Sequence, residues 1–291
     1  MSVEIGAIFF ALVAFAGWGV GDILVAVTAR KIDPYSAAFW SMLLSIILFS
    51  PYALLTVGDL SKMTIPLLLL NLFLGLILIT GIVAYREALR VGNPALVGTI
   101  GAAFTALTTV LAIIFFREFL TNLQLGMVAL IFLGIVLSTF DLKEVMQRKI
   151  KFNRGIVLAL ISLITWGIYF AFVKIPVREV GWFWPFYLSF LLFPVLYVFM
   201  RIRSIPLSKP TVNNALVPLV MSTFMVRVAE FSFSFGISRG FTSLVAPIAG
   251  ASPVLFVILA FLVFKAPITR QQILGIVTTL IGVFSLSIFS A

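Results

Sequence analysis

Three charged side chains lie inside long apolar segments of this sequence. Arg227 and Glu230 are three residues apart in one segment, and Asp22 lies in another. Because residues three apart are neighbours on a helix, Arg227 and Glu230 can neutralise each other as an intrahelical ion pair. They can also bind a ligand, since a guanidinium group recognises a carboxylate or a phosphate and a carboxylate recognises an ammonium group. The spacing leaves both interpretations open.

Asp22 also has more than one interpretation. It can accept hydrogen bonds near the boundary of its segment, about two helical turns from Arg30. Alternatively, it can pair with Arg86, which follows another apolar segment, or bind a proton, because removal from water favours the neutral form of a carboxyl group. A charge inside an apolar segment costs about 2.5 to 3.5 kcal/mol on insertion scales, so each such residue is a candidate functional residue.

Two tryptophans lie near the middle of their apolar segments. Tyr169 and Phe170 follow one of them, Trp166, by one helical turn, and the other is Trp18. Tryptophans of the aromatic belts at membrane surfaces lie at segment ends, so a belt does not explain these positions. Ordinary helix packing is one explanation, and the wall of a cavity that stacks an aromatic or cationic ligand is the other.

The composition indicates a protein whose solvent is the lipid bilayer. Of its 291 residues, 62% are hydrophobic and 10% are charged, whereas about a quarter are charged in a soluble globular protein. The sequence contains neither Cys nor His, which excludes disulfides and every metal site or catalytic mechanism built on those residues. We expect no cofactor. The first apolar segment lacks a preceding basic region, so it is predicted to be a retained helix.

Apolar segments of about 20 residues, the length that crosses a bilayer as a helix, recur along the chain. They are continuously apolar, whereas strands of a membrane barrel alternate. The sequence therefore predicts an all-α integral membrane protein with ten transmembrane helices. We number these spans one to ten, at residues 5–27, 36–57, 66–85, 94–116, 122–139, 155–173, 183–200, 214–235, 242–264 and 271–289.

The net charge of +10 indicates the topology of the spans rather than a surface that binds nucleic acid. Fourteen basic residues fall on one side of the ten predicted spans and five on the other. Basic loops stay in the cytoplasm, so this bias predicts both termini outside. No nucleic-acid partner is expected.

The two halves of the chain match each other at an offset of 148 residues. Trp18 and Gly19 fall on Trp166 and Gly167. The same offset relates the following pairs: Gly92 and Gly240, Ala103 and Ala251, Arg117 and Lys265, Thr121 and Thr269, Gln124 and Gln272, Gly134 and Gly282. Each half has five spans, an odd number, so the second half must enter the membrane in the opposite orientation. We predict two inverted five-helix repeats, 1–140 and 154–291, joined by a connecting loop at 141–153.

Helix bending and helix contacts follow from Pro and Gly positions. Pro247 and Pro253 predict a kink in span nine. The equivalent stretch of span four, 99–105, has no Pro, so the two halves are predicted to bend differently. Glycines are predicted to form the contact faces of spans five and ten, at Gly126, Gly134, Gly275 and Gly282.

The sequence resembles the drug/metabolite transporter superfamily, EamA type. The resemblance rests on the two five-span repeats, Trp-Gly in spans one and six, a Gly-containing turn before spans four and nine, and the Gly spacing of spans five and ten. The resemblance implies a central cavity lined mainly by spans one, three, four, six, eight and nine, with spans five and ten outside it. It also implies a small-molecule substrate, because such proteins export amino acids, drugs and other metabolites or carry nucleotide sugars. Many relatives carry Glu in the turn after span four. Glu118 matches it, but the second half has Ala266 there, so any role of this Glu is supported in one half only.

Inverted repeats give a protein two similar conformations, open to either side of the membrane. The sequence therefore predicts a secondary transporter that moves a small organic metabolite, an amino acid or an amphipathic, drug-like compound, by alternating access, with export as the expected direction. A channel-like facilitator and a membrane-embedded enzyme are the alternatives. The sequence shows no charged ring or carbonyl filter typical of a channel, no nucleophile with its base or carboxylate metal cluster typical of an enzyme, and no ATP-binding motif.

The expected surroundings are a cell membrane, a small-molecule substrate and the lipid bilayer, with protons as a candidate coupling ion and a monomer or homodimer as the assembly. Predicted gating residues are Arg86 at one end and, at the other, Lys174 and Arg178, which we expect to approach Glu230. The predicted substrate-binding residues are Trp18, Asp22, Trp166, Tyr169, Phe170, Arg227 and Glu230.

Overall fold

A computed structural model describes residues 3–29, 31–92, 97, 100–139, 154–212, 214–265 and 268–290. Every element in these ranges is helical. Nine helical segments in the described part of the chain are long and apolar enough to cross a membrane, and Ile100–Phe116 is a shorter apolar helix. The predicted all-α membrane fold is confirmed. Arg30, the first residues of span four, the connecting loop 141–153 and Ala266 lie outside the described residues.

Six spans are single helices over their described lengths. Spans one, two, three, five, eight and ten are Val3–Ala29, Pro34–Leu55, Ile65–Val91, Asn122–Thr139, Leu216–Arg239 and Arg270–Phe289. Three others consist of two helices: Arg154–Phe172 and Lys174–Val180 in span six, Trp184–Phe190 and Phe193–Ile202 in span seven, and Thr242–Ala249 and Ser252–Phe264 in span nine. Span four continues as Phe104–Phe116 after a turn, and a 3₁₀ helix, Val57–Lys62, joins spans two and three.

The two halves begin their last spans with the same capping box. In the first half, Thr121 N donates to Gln124 Oε1 over 2.9 Å, and Gln124 N donates to Thr121 Oγ1 over 3.2 Å. In the second half, Thr269 and Gln272 form the same two bonds at 2.9 and 3.2 Å. Such a box satisfies two backbone donors at a helix start. The sequence repeat therefore extends to hydrogen bonds.

Spans four and nine are interrupted at equivalent residues. Ala103 has φ −67° and ψ −6°, and Ala251 has φ −73° and ψ −3°. The sequence predicted a kink in span nine alone, whereas both spans are interrupted at this position. Pro247 lies inside the helix Thr242–Ala249, and Pro253 lies in the first turn of the next helix, where its missing N–H costs no helical bond. Because span four breaks without a proline, proline alone does not cause the interruption.

The halves meet through two equivalent helix pairs. Span one packs along span eight, and span three packs along span six. A Cβ atom on Gly17 would lie 2.9 Å from Ala229 Cβ, and one on Gly81 would lie 2.6 Å from Thr165 Oγ1. Gly17 is equivalent to Thr165 and Gly81 to Ala229 at the 148-residue offset. Each interface thus joins one half to the other through small residues that allow close helix approach.

Spans five and ten pack against each other through glycines. A Cβ atom on Gly134 would overlap Thr279 Oγ1, and one on Gly275 would overlap Ser138 N. Gly282 similarly lies against Ile131, but no described atom lies within 4 Å of a Cβ built on Gly126. The predicted contact face is confirmed for three of the four glycines and is wrong for Gly126.

Gly134→Ala should lower the free energy of unfolding by about 1 to 3 kcal/mol, because the added methyl group overpacks the contact with span ten. Gly126→Ala, in the same helix, is the matched control. It should leave stability unchanged or raise it by up to about 1 kcal/mol, since Ala is the better helix former. Thermal unfolding of the purified protein in detergent measures both. Equal effects of the two substitutions would contradict the assignment of the contact face.

Candidate functional site

Trp18 and Trp166 contact the same phenylalanine. The Phe104 ring centroid lies 6.4 Å from that of Trp18 and 5.6 Å from that of Trp166, with interplanar angles of 78° and 79°. These are edge-to-face contacts, a preferred arrangement of aromatic pairs. The two tryptophans, one from each half of the chain, therefore lie on either side of the same cluster of rings. The ring that they share, Phe104, is the first residue after the interruption of span four.

Each tryptophan also has an aromatic neighbour from the helix packed beside it. The centroid distances are 5.6 Å from Trp18 to Phe233 and 5.0 Å from Trp166 to Tyr85. Tyr85 and Phe233 are equivalent at the 148-residue offset. Sequence reasoning missed both, although an aromatic pair at the repeat offset is a signal that could have found them.

Phe170 joins this cluster, with centroids 5.5 Å from Trp18 and 5.0 Å from Phe104. Tyr169 is fully buried and packs against Phe186 at 5.5 Å. Trp166 Nε1 is a buried polar group with no hydrogen-bond partner among the described residues. Since buried polar groups are nearly always paired, this group is a candidate for contact with a ligand. We call Trp18, Tyr85, Phe104, Trp166, Phe170 and Phe233 the aromatic cluster.

Arg227 and Glu230 form an ion pair within span eight. Both are buried, and Arg227 Nη1 donates to Glu230 Oε2. The guanidinium carbon of Arg227 lies 4.3 Å from the ring centroid of Phe190, which is a cation–π contact. Arg227 Nε has no acceptor among the described residues. Glu230 is thus occupied by its neighbour, whereas Arg227 retains one free donor.

Asp22 and Arg86 have no ion pair in the described part of the chain. The Asp22 side chain is exposed, and the Arg86 side chain is half-buried. The two charges are close enough to attract each other, but no Asp22 oxygen lies within 4.0 Å of an Arg86 nitrogen, the limit for a salt bridge. Arg86 instead lines a small cavity together with Arg227. Neither Asp22 nor Arg86 is therefore neutralised by an ion pair among the described residues.

The end of the bundle that carries Lys31, Arg154 and Arg203 is called the basic end. A cavity of about 410 Å³ lies there between the turn after span one and the turn after span seven. Glu87 lines it, accepts from the Tyr35 hydroxyl at 3.1 Å and lies 3.5 Å from Arg154 Nη2. This end therefore contains open space bordered by charges of both signs.

At the opposite end of the bundle, a buried carboxylate links the two halves of the chain. Glu118, after span four, pairs with Lys174 in span six. It also accepts from the backbone N–H groups of Thr242 and Ser243, at 3.0 and 2.7 Å, at the start of span nine. Lys174 Nζ lies a further 3.4 Å from Gly240 O. This cluster, which we call the bolt, ties the first half to two elements of the second half.

The sequence predicted that Lys174 approaches Glu230, and this prediction names the wrong acidic residue. Lys174 pairs with Glu118, and Glu230 pairs with Arg227. Arg178, one turn after Lys174, is exposed. The signal for the correct partner was the span order, because the turn after span four and the end of span six lie at the same end of the bundle.

A family model for the EamA-like transporter family matches both halves of the chain, at residues 5–140 and 153–288. The chain belongs to the EamA-like transporter family. It is therefore a multi-pass membrane transporter with an internal repeat, and the resemblance inferred from the Trp-Gly and Gly positions is confirmed.

Solved structures share the fold of this EamA-like transporter, and 28 of their chains match. One is a crystal structure of a protein that shares 16% sequence identity, with a TM-score of 0.77. The match covers 98% of this chain and 97% of that chain. A search of curated proteins finds no match.

The bolt of this EamA-like transporter should be sensitive to acid. Burial alone would raise the pKa of Glu118, but the charge of Lys174 and the hydrogen bonds from Lys174 and Ser243 together hold the pKa below its ordinary value of 4.5. A carboxyl group with a depressed pKa stabilises the folded state fully above its ordinary pKa. This contribution is lost as the pH falls through the folded-state value.

Glu118→Gln should lower the free energy of unfolding by about 3 to 5 kcal/mol near neutral pH, because it leaves the Lys174 ammonium buried without its counter-charge. The difference from the wild type should shrink as the pH falls below 4.5. Chemical unfolding in detergent at several pH values measures it. The double variant with Lys174→Met is the control and should recover part of the loss. A difference that does not change with pH would contradict the charge pairing.

Proposed function

We propose that this EamA-like transporter is a secondary carrier that moves a small zwitterionic or amphipathic metabolite, with export as its direction, by alternating access. The observation that carries the proposal is the junction of the two inverted halves on Phe104, with Trp18 from one half and Trp166 from the other. A site between inverted repeats near the membrane midplane can face either side when one half rocks against the other.

The proposed substrate wall is the aromatic cluster with Asp22 beside it. Asp22 lies one helical turn from Trp18 on the same face of span one. Its exposed carboxylate has no cationic partner within ion-pair distance in the described part of the chain. An ammonium group of the substrate would pair with Asp22 while its apolar part lies against the rings. For the same reason Asp22 is the candidate proton-binding group if transport is proton-coupled.

The two ends of the proposed carrier differ in how they close. The bolt residues Glu118, Lys174 and Thr242 are equivalent, at the 148-residue offset, to Ala266, Ala26 and Pro94. Two alanines and a residue without a backbone N–H cannot form a second bolt at the basic end. We therefore expect the resting carrier to be closed at the opposite end and to open at the basic end. Lys174 with Glu118 is the proposed gate there, and Arg178 lies beside it.

At the basic end, the proposed gate is the attraction between Asp22 and Arg86. In the described structure they attract each other without forming an ion pair, so in this proposal each of them can still pair with a charge of the substrate. A substrate that carries both charges would engage both residues at once. Release of the substrate would then let the two side chains attract each other directly.

The test is transport by the purified protein in proteoliposomes. Labelled amino acids, amines and amphipathic cations are offered with and without a pH gradient and with unlabelled substrate inside. A carrier should show saturable uptake that internal substrate accelerates, whereas unsaturable flux without this acceleration would establish a channel instead. A dependence on the pH gradient would establish proton coupling.

Asp22→Asn should lower the initial uptake rate at least about tenfold, which corresponds to the loss of one charged hydrogen bond of about 1.5 kcal/mol. Asp59→Asn is the matched control, since Asp59 forms an exposed pair with Lys62, and it should leave uptake unchanged. Equal rates for the two variants would contradict the role of Asp22.

A further inference from the structure

A second polar cavity lies between spans one, two, three and eight. Its volume is about 30 Å³, and a cavity of about 10 to 15 Å³ suffices for one water-sized group. It therefore holds one or two atoms of that size. Its polar lining residues are Thr28, Ser41, Arg86, Ser222, Thr223 and Arg227.

The lining of this cavity is positively charged. Two arginines line it, and the positive charges of Arg86 and Arg227 are close enough to repel each other. Glu230 neutralises Arg227, but no described acid lies within ion-pair distance of Arg86. An anion between the two arginines would relieve their repulsion. The lining therefore carries one positive charge, that of Arg86, without a paired acid.

Hydrogen-bond donors in the lining are also unused. Arg227 is nine-tenths buried or more, and its Nε has no acceptor among the described residues. Thr223 Oγ1 donates to Ser41 Oγ over 3.0 Å, so the Ser41 hydroxyl proton remains for another acceptor. Donors without acceptors around a small cavity are complementary to an oxygen-bearing anion.

We propose that this cavity is an anion subsite that binds the carboxylate of the transported metabolite. The inference rests on the proposed carrier function and makes the substrate class narrower: a zwitterion with its carboxylate between Arg86 and Arg227 and its ammonium group at Asp22. A carboxylate presents two oxygen atoms and one charge, which match the cavity's space and its single uncompensated cation. Phosphate has four oxygens and a second charge, so it fits less well.

Binding is tested first without transport. The purified protein is heated in detergent with increasing sodium formate, acetate, chloride or phosphate, and a bulky sulfonate salt keeps the ionic strength constant. Formate and acetate should raise the unfolding temperature saturably, and Arg86→Gln should remove this rise. Arg86→Lys should keep part of it, because it keeps the charge. Arg201→Gln, which removes an exposed cation, is the control and should behave as the wild type.

Two results would overturn the subsite. One is an equal rise for the wild type and Arg86→Gln. The other is a chloride effect that saturates as formate does and abolishes the effect of formate at equal concentration, because the cavity would then be a halide site rather than a carboxylate subsite.

Transport separates this proposal from the function on which it rests. The wild type should prefer an amino acid to its decarboxylated amine, and Arg86→Gln should reduce that preference about tenfold, the value of one charged hydrogen bond. Transport with a preference that Arg86→Gln leaves unchanged overturns the subsite but keeps the carrier. Formate binding without transport of any zwitterion overturns the carrier function but keeps the anion site.

Discussion

A charge inside a membrane-spanning bundle is costly unless an opposite charge or a hydrogen-bond partner lies beside it. Glu118 satisfies this constraint through Lys174 and two backbone N–H groups. Arg227 satisfies it through Glu230 and the ring of Phe190. Asp22 and Arg86 are neither paired with each other nor with another described residue. The constraint therefore separates the charges paired within the bundle from Asp22 and Arg86, to which we assign the proposed substrate contacts. Arg227 belongs to both groups, because it pairs with Glu230 while its Nε has no acceptor among the described residues.

The internal repeat builds the scaffold, and its divergence builds the differences between the two ends. The capping boxes and the interruptions at Ala103 and Ala251 occur in both halves with nearly the same geometry. The contact of Trp18 with Phe233 likewise has its equivalent in that of Trp166 with Tyr85. The bolt, by contrast, depends on Glu118 and Lys174, and their equivalents are both alanine. A symmetric scaffold gives access to two similar conformations. In the proposed carrier, the unsymmetric bolt would make the conformation that is closed at its own end the more stable one.

The sequence predicted features that depend on local spacing or on the repeat. Hydropathy predicted the ten spans, three-residue spacing predicted the Arg227–Glu230 pair, and the offset of 148 residues identified Trp18 and Trp166 as equivalent residues. It did not predict the partner of Lys174, because Glu118 is 56 residues away and has no charged equivalent in the second half. The interruption of span four was missed because it contains no proline, and Gly126 was misassigned because glycine spacing alone does not reveal which helix face is covered.

The central claim is that one end of the bundle closes as the other opens. Because the chain has no cysteine, pairs of cysteines can be introduced at exposed positions and spin-labelled. The positions are Val91 and Ser208 at the basic end, and Ser61 and Arg239 at the opposite end. Pulsed electron spin resonance then measures both distances in liposomes with and without a transported substrate. The account predicts that substrate shifts the distance distributions in opposite directions, shorter at the basic end and longer at the opposite end. Distributions that stay unchanged, or that move in the same direction at both ends, would contradict it.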